Sequence, residues 1–170
     1  MSIAANFSIK DLGETKPGDL VRIRGANLSV FAFVLGPRPR NRFGVLTLQP
    51  APPHLPVPSL LYPTMEKVAS FGSDWVLEIV DGDWSYAGNR EYYDIGGVVF
   101  IGDKMTIAAR HPERFNDIQQ FDLSLWAEAE GNSGEIPAPY WRLWANQSEK
   151  ERRNGIPLME FDARKEKPSL

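Results

Sequence analysis

Residues 30–35, Val-Phe-Ala-Phe-Val-Leu, are apolar at six successive positions. The run is short for a buried helix, and its β-branched and aromatic content suits a strand covered on both faces. Such a strand obliges the rest of the chain to place apolar layers on each side of it. With 170 residues, the chain has the length for one domain with a real core.

The neighbouring segments carry the same kind of signal. Pro17-Gly18-Asp19 reads as a turn, and Leu20 to Arg24 then alternates Val21 and Ile23 against Arg22 and Arg24, the pattern of a half-buried strand. Gly36 to Arg42, with two prolines and three arginines, reads as a loop, and a strand pattern resumes from Phe43 to Gln49. This opening of about 50 residues resembles the start of many small SH3-like barrels, which implies a barrel of short strands and brings no site residues with it.

Six prolines fall between Pro50 and Pro63, a stiff extended segment where a boundary between subdomains would lie. Leu55, Val57, Leu60 and Leu61 within it call for packing on something. Beyond it, the sequence predicts a short helix over 65–71 and a strand over 75–80 with Trp75, Leu77 and Ile79 on one face. Hairpin material follows around Trp84 to Tyr86 and Tyr92-Tyr93. Gly102-Asp103 between two apolar runs, 98–101 and 104–107, fits a two-residue hairpin turn with glycine first. Gln119 to Glu130 alternates as one long strand, which sets Trp126 among acids on the outward face. Pro139 to Gly155 favours a helix, with a strand beginning at Tyr140 as the alternative, and Leu158 to Asp162 reads as a last strand. The fold class expected is mainly β, an antiparallel barrel or sandwich with one or two short helices, in a single β-rich domain.

Function is less legible. Cysteine is absent, which excludes disulfides, thiol catalysis and thiolate metal sites. No Gly-x-Ser-x-Gly elbow, dinucleotide fingerprint or phosphate-binding P-loop occurs, so no cofactor is expected. His54 and His111 are the only histidines, too few for a histidine metal centre, and Asp74, Glu78, Asp81, Asp83 and Asp94 lack the spacing of a calcium loop, so no metal is expected either. The N-terminal residues lack a basic segment followed by an apolar one, and no apolar run has the length of a membrane span, which leads to the expectation of a cytoplasmic chain without a membrane partner.

The charge is divided. Net charge is −3, yet residues 1–60 hold seven Lys/Arg against three Asp/Glu, and the remainder twelve against nineteen. Arg22, Arg24, Arg38, Arg40 and Arg42 lie within 21 residues. The reading that follows is a non-enzymatic binding or interaction protein with an aromatic and charged surface, its partner-binding residues Arg38, Arg40, Arg42, Trp84 and Trp126. A partner protein, or a second copy in a homodimer pairing basic with acidic ends, is the expected occupant. The alternatives are nucleic-acid or other polyanion binding through the arginine loop 36–44, and a hydrolase built on Asp81, Asp83 and His111.

Overall fold

The structure, a computed structural model, describes residues 7–24, 29–36, 44–48, 59–61, 67–81, 96–110, 118–129, 135–138 and 140–162. Within these, the strands are β1 (Ser8–Asp11), β2 (Leu20–Arg24), β3 (Ser29–Val34), β4 (Val45–Thr47), β5 (Ser59–Leu61), β6 (Lys67–Gly72), β7 (Val76–Asp81), β8 (Val98–Ile101), β9 (Lys104–Arg110), β10 (Ile118–Asp122), β11 (Ala127–Glu128), β12 (Glu135–Ala138), β13 (Tyr140–Trp144) and β14 (Met159–Asp162), with one short helix, α1 (Gln147–Glu151). The fold is mainly antiparallel β. A large sheet runs β1-β6-β2-β3-β4-β5-β9-β10-β11, with β8 on β9 and β12 on β8, and a second sheet runs β14-β13-β7. Among the described residues the one parallel contact is β5 against β9 at Ser59 and Arg110. Among the described residues the large sheet does not close on itself; its path ends at β1 and β11.

The apolar run that opens the argument is the hinge of this architecture. Phe31, Phe33 and Leu35 face a core completed by Leu20, Leu46, Ile107, Phe121, Trp141, Leu143 and Phe161, side chains drawn from both sheets. Val30, Ala32 and Val34 face the other way, into a smaller cluster with Leu12, Val21, Ile23, Val45 and Val68. The expectation of a strand buried on both faces holds, and β2 shows the expected half-buried alternation with Arg22 and Arg24 outside. Of the proline-rich stretch, β5 is described: it joins β4 to β9, so residues on either side of the stretch share one sheet.

The hairpin at Gly102-Asp103 forms as expected, with Ile101 paired to Lys104 and Gly102 at a φ of 64°, the glycine-first geometry of a type II′ turn. Trp75, Leu77 and Ile79 pack on the main core, and the last strand forms as β14.

Three expectations are corrected. The helix predicted over 65–71 is strand β6, because Val68 and Ser70 alternate with Ala69 and Phe71 and both edges of the segment find ladder partners, β1 and β2. The helix predicted from Pro139 starts only at Gln147, where the Asn146 side chain caps it by accepting from the Glu149 amide. Tyr140 to Trp144 is instead the central strand of the small sheet, flanked by β7 and β14, with Trp141 and Leu143 fully buried. The long strand predicted over 119–130 breaks at Asp122, and residues 123–126 turn the chain back into β11.

Candidate functional site

The register of four strands gathers a basic and apolar surface that no single segment reveals. Ile9 pairs with Ala69 and Asp11 with Lys67 across β1 and β6; Arg22 pairs with Ala69 and then with Phe31 across β6, β2 and β3; Arg24 pairs with Ser29. Paired residues share a face. That face is the one whose other end carries Leu20 and Phe33 into the core, so its outer end is an extension of the core surface left open. It forms a groove of about 590 Å³ lined by Phe7, Ile9, Arg22, Arg24, Lys67 and Phe71. The volume lies within the range of ligand sites.

Two walls differ in chemistry. On β2, Arg22 donates through Nε to the Ser29 hydroxyl at 2.9 Å and lays its guanidinium over the Phe31 ring, 5.5 Å from its centroid. This fixes its fork toward the groove. Arg24, two residues on, is exposed and makes no ion pair or hydrogen bond among the described residues. On the β1–β6 side stand Phe7, 45% exposed, and Ile9, 63% exposed, with the Phe7 and Phe71 rings 5.8 Å apart and Phe71 backed by Phe31 at 5.6 Å. Lys67 pairs with Asp11 at 2.9 Å. Among the described residues, Arg22, Arg24 and Lys67 are the cations that line the groove, and Asp11 stands at its edge on Lys67. Among the described residues that line the groove there is no His, Asp or Glu to act as acid or base, and the Ser29 hydroxyl is held by Arg22.

The residues singled out from the sequence are scattered differently. Arg38, Arg40, Arg42, Trp84, Asp83 and His111 lie outside the described residues. Glu78 is occupied: it accepts from the Trp144 indole at 2.9 Å and pairs with Lys150 at 3.4 Å. Among the described residues no three metal-ligating side chains come together, and no helix is long and apolar enough to cross a membrane.

Trp126 does not stand on an outward strand face. It sits in the turn after β10 at a positive φ of 55° and lodges its ring against Phe33 and Trp75, with centroids 5.3 and 5.7 Å away; Leu125 is the residue left outside, 64% exposed. Its carbonyl accepts from the Gly36 amide, past the end of β3 that is remote from Ser29, and it lines no part of the groove. The physical cause is Asp122. Only 1% exposed, its carboxylate accepts from the Ser124 hydroxyl and from the amides of Ser124 and Leu125, which folds the chain over where alternation alone predicts continuation.

Burial by itself pushes the Asp122 pKa up, but the Ser124 hydroxyl, the two amides and Lys104 outweigh it and hold the carboxyl below its usual value. A group depressed in this way adds stability above its unfolded pKa, near 3.9, and that contribution is lost as pH falls through the folded pKa. Asp122→Asn is therefore expected to be less stable at pH 7 by about 1–3 kcal/mol. The gap to the parent should narrow below about pH 4. Urea unfolding at the two pH values checks both, and a gap independent of pH would mean that the charge is not what the turn uses.

Among the groove residues that sequence reasoning missed, Phe7 and Ile9 carry no local signal, whereas Lys67 and Phe71 do. The period-two placement of Lys67, Ala69 and Phe71 is the signal that identifies them once the segment is read as a strand. Comparison of the chain with protein-family models, with curated proteins and with solved structures finds no match to any of them.

Proposed function

We propose that the chain is a non-enzymatic binding protein whose groove on the β1-β6-β2-β3 face takes an anionic ligand. The observation that carries this is the pair Arg22 and Arg24, on one face of β2, with no partner for Arg24 among the described residues and with Phe7 and Ile9 exposed opposite them. Guanidinium forks bind phosphate and carboxylate through paired, charge-assisted hydrogen bonds. Exposed apolar side chains beside such cations favour a ligand with an uncharged face as well as a charged one. The framework we read as a sandwich, since β13 of the small sheet buries Trp141 and Leu143 in the same core as the large sheet. The division of charge along the chain would orient an approaching partner.

The test is retention on heparin against a salt gradient. Arg22→Ala/Arg24→Ala is expected to elute at clearly lower salt, with the slope of log affinity against log salt reduced by about two, one for each contact removed. Because both side chains are exposed, the thermal midpoint should stay close to the parent's. Unchanged elution of a folded double variant would refute the groove as an anion site.

A further inference from the structure

We infer that the anionic ligand of the groove is single-stranded nucleic acid, an inference that rests on the anion-site reading above and specifies it. The groove sets arginines on β2 beside aromatic rings on the β1–β6 side. Arg22 and Arg24 are two positions apart on one strand, so their side chains emerge about 6.8 Å from each other in a row along β2. A repeating backbone charge suits such a row better than a single anion does. Facing the row, Phe7 and Phe71 stand 5.8 Å apart, Phe7 with nearly half its surface exposed, and Phe71 is kept in place by Phe31 beneath it. Ring faces on an open sheet surface are what unpaired bases stack on, and they discriminate little among bases because every base has a flat apolar face.

Other anions use only part of this arrangement. A free phosphate satisfies the arginines and leaves the rings idle. A duplex offers phosphates but hides its base faces inside the stack. An acidic peptide brings carboxylates without flat rings to cover Phe7 and Phe71. A single strand presents both phosphates for the arginines and exposed stacking faces for the rings. Electrostatics elsewhere is consistent with a local footprint: net charge is −3 overall, but the groove lies within and beside the basic first 60 residues.

The experiment is fluorescence anisotropy with a labelled oligothymidylate of about a dozen nucleotides, near the site size of one sheet-based module. It is run on the parent, Phe7→Ala, Phe71→Leu and Arg22→Ala/Arg24→Ala, next to the heparin elution described above. Phe7→Ala is the variant least able to disturb folding, since Phe7 is exposed and precedes the first strand. The expected result is about fivefold to tenfold weaker oligonucleotide binding for Phe7→Ala and for Phe71→Leu. Their heparin elution should not change, whereas the double arginine variant loses both. A duplex of equal length should bind more weakly than the single strand. If the ring variants bind the oligonucleotide as the parent does, if the duplex binds equally well, or if polyglutamate displaces the oligonucleotide at equal charge concentration, the nucleic-acid assignment falls and the anion groove stands. If the parent holds neither heparin nor the oligonucleotide, both readings fall together.

Discussion

Trp141→Ala is expected to lower the thermal midpoint by about 10 °C. The ring is fully buried at the centre of the small sheet, stacked on Phe161 with centroids 5.3 Å apart and planes at 18°. Its indole nitrogen donates to the Gly96 carbonyl at 2.8 Å. Gly96 is itself tied by its amide to the Ala108 carbonyl of β9, so one side chain links the small sheet to the large one through packing and a hydrogen bond together. Truncation opens a cavity between the sheets and orphans a buried acceptor, which costs about 3–5 kcal/mol in comparable cores. A protein of this length moves about 2–4 °C per kcal/mol. Trp141→Phe separates the two contributions: it keeps most of the ring volume and loses the N–H, so it should forfeit only about 1–3 kcal/mol. Thermal and urea unfolding of both variants provide the check. A loss below about 1 kcal/mol for the alanine variant would mean that the sheets are not joined through this residue.

What the sequence announced, and what it withheld, follows the range of the interactions involved. The strand at 30–35 and the turn at Gly102-Asp103 are local matters, a run of apolar side chains and a glycine where φ must be positive, and both are as expected. Residues 140–144 and 67–72 satisfy helix cues by composition, and only the ladders on both of their edges make them strands. Those partners lie far away in the chain: Trp141 pairs with Ile79, and Ala69 pairs with Ile9 and with Arg22. The break at Asp122 is decided by three hydrogen bonds to one carboxylate, which the alternation of neighbouring residues does not encode.

The candidate site shows the same division. The arginine cluster was visible from the start, and Arg22 and Arg24 were read on the exposed face of a strand. Arginines are denser in the loop, at Arg38, Arg40 and Arg42, while the groove depends on β1 and β6, elements separated by more than 50 residues that meet edge to edge. A lysine, a phenylalanine and an isoleucine from those strands become a surface only through register.

Gly18→Ala is expected to destabilise by about 2–5 kcal/mol, the sum of a left-handed backbone that an alanine resists and an overpacked contact. Gly18 has a φ of 90°, and a Cβ placed on it would lie 2.6 Å from Nε1 and 2.7 Å from Cε2 of Trp126. Neither side can yield easily. The Gly18 amide donates to the Val34 carbonyl at 2.9 Å and its carbonyl accepts from the Trp75 indole at 2.8 Å, so its backbone is held at both ends. The Trp126 ring is wedged against Phe33 and Trp75, and its own backbone carbonyl is fixed by Gly36. The two causes can be told apart by a double-mutant cycle: Trp126→Leu removes the obstruction, so in that background Gly18→Ala should cost only the backbone contribution, about 1–2 kcal/mol, with a coupling of about 1 kcal/mol or more between the sites. Additive losses would show that the ring is not what excludes a side chain at position 18. Since this cluster closes one end of β3 and the groove opens at the other, Gly18→Ala should leave heparin elution unchanged at temperatures where the variant is folded. That combination, a large loss of stability with unchanged heparin elution, would separate the part Trp126 plays in holding the fold from the anion binding proposed for Arg22 and Arg24.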